Sequence, residues 1–249
     1  MKKLLFVICT HGDELAGLNL FLHYPYGKNE KVEWKVMVGN PMATLTNLRF
    51  TETDLNRSFN AKKARSYEEK RAEILKKIFA NYDVVCDIHT TTAIRDSIGW
   101  DKCLFVNSVD QSTLSECRYV PSDYIIWDSD PTYQKQYLPA HAKIGITIEY
   151  TKTKNAAIDM KRIEKDFIQI INQKPISSQA EKKRLLCRAD RGVTQDEKDK
   201  HNLFLKEFVP LTQEEKKKLK LHLEKEYYPV FINPRSIDPK YYCFLNEKM

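Results

Sequence analysis

Apolar positions fall into short, nearly unbroken runs separated by longer stretches of helical period. Leu4-Leu5-Phe6-Val7-Ile8-Cys9 and Val84-Val85-Cys86-Asp87-Ile88-His89 are too short for buried helices and read as strands covered on both faces. Val32-Glu33-Trp34-Lys35-Val36-Met37-Val38 alternates as a strand and stops at Gly39-Asn40-Pro41. Leu104–Asn107, Tyr124–Trp127 and Ile144–Glu149 read as further strands. Between them, Glu14–Leu22 starts a helix. Tyr67–Asn81 places Ile74, Leu75, Ile78 and Phe79 at helical spacing, and Ala156–Asn172 is another amphipathic helix. Strands and helices alternate to about residue 172, which implies an α/β fold on a parallel or mixed sheet. After Gln173-Lys174-Pro175 the composition turns basic and the segments shorten. Leu185–Ala189, Phe204–Val209 and Pro229–Asn233 read as strands there, and Leu211–Lys225 as a helix or a charged turn region. The expected organisation is one domain over 1–174 and a smaller one over 175–249.

The runs end in chemistry. His11 and Glu14 follow the first run, and His89 closes the second. In α/β sheets, ligands bind at the carboxyl ends of strands. Two imidazoles and a carboxylate projected from two such ends make a catalytic zinc site with an open fourth position. No cysteine is spaced to close it. A His-x-x-Glu pair also occurs as a surface contact, and a strand-end histidine as a hydrogen-bonded structural residue. Glu149 closes a nearly apolar strand, where a carboxylate without a partner is costly. Asp87, two residues before His89, leaves the same strand face. It suits either a carboxylate that orients a histidine ligand or a strand-end hydrogen bond.

Composition narrows the rest. The chain has 249 residues, 42% of them hydrophobic, enough for one large domain with a small appendage. No segment approaches a membrane span. Lys2-Lys3 before an apolar run resembles a signal peptide, but the run is six residues long and no small-residue cleavage site follows. Leu4–Cys9 is therefore read as a first strand and the protein as cytoplasmic. Six cysteines form no Cys-x-x-Cys pair, so no disulfide framework is implied, and Cys9 and Cys86 are expected to be buried thiols. The net charge is +7, 41 basic against 34 acidic side chains. Lysines concentrate at Lys182-Lys183-Arg184 and Lys216-Lys217-Lys218, but Glu197, Asp199, Glu214 and Glu215 lie among the basic segments without aromatic stacking residues. A solvated helix face is preferred over a nucleic-acid partner. A mild positive field would attract a small anionic substrate.

Six stretches resemble the succinylglutamate desuccinylase/aspartoacylase family, a branch of the zinc-carboxypeptidase superfamily, with the aspartoacylase side nearest. They are Thr10–Gly17, Gly39–Pro41, Asp54-Leu55-Asn56-Arg57-Ser58-Phe59, Asp87-Ile88-His89-Thr90-Thr91-Thr92, Ile148-Glu149 and Tyr228-Pro229-Val230-Phe231-Ile232-Asn233, in the family's order. The resemblance implies a three-layer α/β/α domain with a mixed sheet, and a smaller β-rich C-terminal domain that reaches the active-site entrance. It implies one zinc ion per chain held by His11, Glu14 and His89, with Glu149 as general base and Arg49 polarising the scissile carbonyl. It further implies Asn56 and Arg57 on a substrate carboxylate, and Tyr228 as a substrate-contacting hydroxyl. For Arg57 the alternative is a salt bridge at a helix start, and for Tyr228 it is core packing. The implied reaction removes the acyl group from an N-acyl amino acid, acetyl-aspartate first, with a desuccinylase, a metallocarboxypeptidase or a non-catalytic metal-binding sensor as alternatives. No membrane partner is implied, and the oligomeric state is open. Three departures stand out. No arginine lies between Tyr119 and Glu149, where aspartoacylases carry a second carboxylate-binding arginine, and only Lys135 and Lys143 are permanent cations there. Thr90 stands where Asn is usual, and Tyr150 where a small or aliphatic residue is usual.

Overall fold

Strand β1 (Lys2–Ile8) lies parallel between β3 (Val32–Val38) and β4 (Val84–Ile94) in a computed structural model that describes residues 1–94, 101–128, 130, 134–206, 208–230 and 241–249. β7 (Ile144–Lys152) continues the parallel set beside β4. β2 (Tyr26–Lys28) pairs antiparallel with β3, and β5 (Lys102–Val106) antiparallel with β7. The sheet is therefore mixed, in the order β2-β3-β1-β4-β7-β5.

Residue parity assigns its two faces. Leu5 and Val7 of β1 and Val85 of β4 pack with Ala72, Leu75 and Phe79 of α3 (Tyr67–Phe79). Phe6, on the other face, meets Phe167 of α5 (Ala156–Ile171) edge-on, ring centroids 4.8 Å apart. Helices on both faces of a mixed sheet make the three-layer α/β/α architecture. α3 starts at a capping box in which Ser66 accepts from the Glu69 amide and Glu69 accepts from the Ser66 amide. Ile74, expected on its apolar face, is exposed. Ala72 completes that face instead.

The chain divides into two compact units, one of Met1–Ile125 with Asp130–Arg184, the other of Ile126–Ser129 with Leu185–Met249. β6 (Tyr124–Asp128) straddles that division. The boundary falls ten residues later than the composition suggests, at 184 rather than 174. The reason is local. The Arg184 guanidinium donates to the carbonyls of Cys117, Val120 and Ser122, and the Ile176 amide donates to the Arg118 carbonyl.

In the second unit, β8 (Leu185–Thr194), β10 (Tyr241–Lys248) and β9 (Tyr227–Val230) form antiparallel pairs in that order. β10 has no counterpart in the sequence reading. Among the described residues of Phe204–Val209 there is no strand. Phe208 turns the chain at φ 53°, and the Phe208 amide donates to the Pro229 carbonyl, as the Leu211 amide beyond it does to the Tyr227 carbonyl. Of Leu211–Lys225, only Gln213–Lys218 is helical, started by a Thr212–Glu215 capping box and followed by Lys220 at φ 56°. Of Pro229–Asn233, positions 231–233 lie outside the described residues. No helix among the described residues is long and apolar enough to cross a membrane.

Candidate active site

β1, β4 and β7 run parallel and adjacent, so the turn after β1, His89 of β4 and Glu149 of β7 lie side by side. After Ile8 the chain turns at Cys9, whose φ of 51° is a left-handed conformation that costs energy for a side chain with a Cβ. The Gly39 amide donates to the Ile8 carbonyl and the Asn40 amide to the Cys9 carbonyl, which hold the turn. Burial pushes the Cys9 thiol up to about 12, so it is an inert packing group. Gly12 follows with no room for a side chain. A Cβ there would lie 2.2 Å from the Ala43 carbonyl carbon of α2 (Pro41–Leu45), and the Gly12 amide donates to the Arg49 carbonyl at 3.1 Å. One glycine thus seats both the histidine turn and the arginine loop. Gly12→Ala is expected to destabilise the fold by about 1–3 kcal/mol or more and to weaken metal binding, which thermal melting and metal titration would measure.

His11 and His89 face each other with ring centroids 4.8 Å apart, and Glu14 lies between them. His11 Nδ1 is 2.7 Å from Glu14 Oε1, and His89 Nδ1 is 3.2 Å from Glu14 Oε2. The Thr90 amide donates to Glu14 Oε2 at 2.7 Å. All three side chains are buried, and their ligand atoms lie within 4.8 Å of one another. Each outer imidazole nitrogen meets a carboxylate. His89 Nε2 is 2.7 Å from Asp87 Oδ2, and His11 Nε2 is 3.2 Å from Asp54 Oδ1. Thr10 Oγ1 in turn donates to Asp87 Oδ1 at 2.7 Å.

The donor set fits a divalent cation. Two imidazoles present one nitrogen each inward with the other held by a carboxylate, and an anionic oxygen completes the group. Without a cation, electrostatics shift sharply. Burial pushes the His89 imidazole down, but Asp87 and Glu14 outweigh it and hold it well above its ordinary value. His11 is raised in the same way by Glu14 and Asp54. Burial works against ionised Glu14, yet His89 and His11 pull its carboxyl far below the usual range.

β4 runs past His89 to Ile94 and β7 past Glu149 to Lys152, so neither residue ends its strand as the pattern implied. The threonines after His89 are β-branched and favour strand. His89 and Glu149 are register partners on adjacent strands and share a sheet face. Burial raises the Glu149 carboxyl to about 7, with His89 opposing and Glu14 adding. Tyr150 points to the opposite face, where its hydroxyl donates to Asp166 of α5 at 2.9 Å beside Lys102. The departure at Tyr150 therefore belongs to the buried contact with α5.

Arg49 lies 3.6 Å from both Glu14 Oε1 and Asp54 Oδ2. Its loop hangs on Glu68, a carboxylate missed by the sequence reading because Glu68-Glu69 looks like a solvated first turn. Glu68 is fully buried and accepts from the amides of Thr51, Glu52 and Thr53, the Thr51 hydroxyl and the Asn40 side chain. Asp54 was also missed as a functional group, although it opens the Asp54–Phe59 stretch. It caps the 3-10 turn Leu55–Arg57 by accepting from the Asn56 amide, and so links His11 to Asn56 and Arg57. Tyr228 lies on β9 in the second unit, where its hydroxyl donates to Glu226 at 2.9 Å. Lys143 cannot stand in for the absent arginine. It precedes β7, at the end of the strand away from Glu149, and is exposed beside Asp83 at 3.4 Å. Lys135 is exposed as well.

A mixed sheet between helical layers, with two imidazoles and a carboxylate brought together by adjacent parallel strands, is the architecture of the zinc-carboxypeptidase-like class of α/β folds. Within it, the chain belongs to the succinylglutamate desuccinylase/aspartoacylase family, whose catalytic-domain model matches residues 1–168. A stretch is 37% identical over 102 residues to a probable aspartoacylase of Prochlorococcus marinus, covering 37% of this chain and 35% of that protein. The match thus spans about a third of that relative's length. An N-acyl-aromatic-L-amino acid amidohydrolase (carboxylate-forming) of Xenopus laevis is 26% identical, covering 95% of this chain and 90% of that protein. A mutant form of murine aminoacylase 3 shares the fold at a TM-score of 0.73 and 20% identity, over all of this chain and 94% of the other.

Proposed function

We propose that the chain is a zinc-dependent amidohydrolase that releases the acyl group from an N-acyl amino acid. The observation that carries this is Glu149 in register with His89, beside a His11–Glu14–His89 group whose outer nitrogens both meet carboxylates. His11, Glu14 and His89 would hold the ion, which when bound acidifies a coordinated water and polarises a carbonyl. Glu149 takes the proton from the attacking water and returns it to the leaving amine, a dual role suited to a carboxyl raised to about 7. Arg49 meets the charge that develops on the scissile carbonyl oxygen. Asn56 and Arg57 bind the substrate's α-carboxylate.

Acetyl-aspartate is the substrate implied by the aspartoacylase resemblance. A neutral, aromatic side chain has its own support. The stretch Tyr119–Glu149 has no arginine, Lys143 faces Asp83 instead, and the amidohydrolase for N-acyl-aromatic amino acids matches along 95% of the chain. The test is to incubate zinc-loaded protein with acetyl-aspartate, acetyl-phenylalanine, acetyl-tyrosine and their α-amides, and to assay free amine. The expected result is turnover of free acids over α-amides by roughly ten- to a hundred-fold, the 1–3 kcal/mol of a lost charged contact. A preference for acetyl-aspartate above about a thousand-fold, roughly 4 kcal/mol, would eliminate the neutral-side-chain reading. Full activity on α-amides would eliminate the carboxylate clamp. Absence of turnover across N-acyl amino acids with zinc bound would leave a metal-binding sensor.

A further inference from the structure

The two residues of the carboxylate clamp do not hold themselves in place. Asn56 is buried, and its side-chain Oδ1 accepts from the Leu138 amide at 3.1 Å. The amide N–H is an obligate donor, so the bond fixes which end of the Asn56 carboxamide is oxygen, and Nδ2, a donor, is the opposite end. The Arg57 guanidinium lies over the Tyr137 ring, 4.6 Å from the centroid, and donates from Nη1 to the Asn56 carbonyl at 2.9 Å. Tyr137 and Leu138 are consecutive, so one short segment seats both clamp residues. That segment is anchored independently. Leu138 is fully buried in the cluster with Leu55 and Phe59, and His141, ending the 3-10 turn Leu138–His141, stacks on Phe59 at 5.4 Å.

We infer that Tyr137 is a positioning residue for substrate carboxylate recognition, its ring fixing the plane of the Arg57 guanidinium beside the donor end of Asn56. The inference rests on the reading of Asn56 and Arg57 as the carboxylate clamp. A guanidinium can meet a carboxylate through two parallel N–H donors only when its plane is set. The aromatic face supplies that plane, while the Leu138 amide fixes the adjacent Asn56 group by its oxygen and leaves the Nδ2 end to donate. The ligand this surface selects is a planar anion with no proton to offer, the ionised carboxylate of an acylated amino acid rather than its amide. Tyr137 stacks on Arg57 and is not a member of the His11–Glu14–His89 group, so its effect belongs in substrate binding rather than in turnover.

The experiment compares Tyr137→Leu, Tyr137→Phe and Arg57→Ala in the zinc-loaded protein, on acetyl-aspartate, acetyl-phenylalanine and the corresponding α-amides. A cation–π contact of this kind contributes about threefold to twentyfold in affinity. Y137L should raise KM for the free acids by that factor with kcat within about twofold, leave kcat/KM for the α-amides unchanged, and show no further loss when added to R57A. Y137F keeps the ring and should retain the parental KM. If R57A raises KM for the free acids and Y137L does not, the Tyr137 assignment is overturned while the clamp stands. If R57A treats acids and α-amides alike, the clamp reading falls and this inference with it. An equal loss by Y137L on acids and amides, or a loss in kcat alone, assigns Tyr137 a general structural role and overturns the proposal. Tyr137→Gln, of similar reach but without an aromatic face, is read by the same criteria should Y137L fail to fold.

Discussion

Glu149→Gln is expected to lower turnover by about 10²- to 10⁴-fold while leaving the zinc content and the melting temperature near those of the parent. The substitution keeps the shape and removes only the capacity to take a proton. Glu149 lies beside the His11–Glu14–His89 group without belonging to it, so metal content should not change. The proton bookkeeping gives a second signature. Burial raises the Glu149 carboxyl to about 7 in the metal-free protein. A raised carboxyl is protonated below its pKa and cannot act as a base there, so kcat/KM should fall as the pH drops through that limb. A bound cation favours the ionised form and moves the limb toward lower pH. The limb should be absent from the residual activity of the Gln variant. Turnover within a few-fold of the parent, or an unchanged acid limb, would remove Glu149 from the base role.

Much of this site was legible because buried parallel strands write themselves as compact apolar runs, and the residues following such runs are delivered to one edge. His11, Glu14 and His89 were found that way, and Asp87 by the two-residue period that puts it on the His89 face. What escaped was set by contacts distant in sequence. Glu68 reads as one of two surface glutamates in a first helical turn, and only the fold shows the Thr51–Thr53 amides closing over it. Asp54 gives no sign by itself that it will meet a histidine 43 residues earlier. The strand ends were misjudged because β-branched threonines continue β4 after its apolar run stops. In the second unit, the apolar residues of Phe204–Val209 looked like a strand, although a left-handed turn at Phe208 interrupts it.

His89→Ala is expected to weaken zinc binding by two orders of magnitude or more. Structural zinc sites gain about 10–16 kcal/mol from four ligands, so one ligand accounts for roughly 3 kcal/mol, and each 1.4 kcal/mol is tenfold. Asp87→Asn keeps the ligand but loosens its orientation, and should cost about 10- to 100-fold. The order H89A worse than D87N, with the parent tightest, separates ligand from orienting carboxylate. The pH dependence follows from the imidazoles. Both are raised above the ordinary histidine value in the metal-free protein, His89 most, because the carboxylates around them outweigh burial. They must lose their protons to bind a cation, so zinc competes with protons at neutral pH and affinity rises with pH until the raised values are passed. The slope should reach up to about two log units per pH unit in the parent, matched by proton release in calorimetry run in two buffers of different ionisation enthalpy. In H89A the slope should drop by about one. A parent slope near zero at neutral pH would mean the imidazoles are already neutral. Undiminished zinc in H89A would exclude His89 as a ligand.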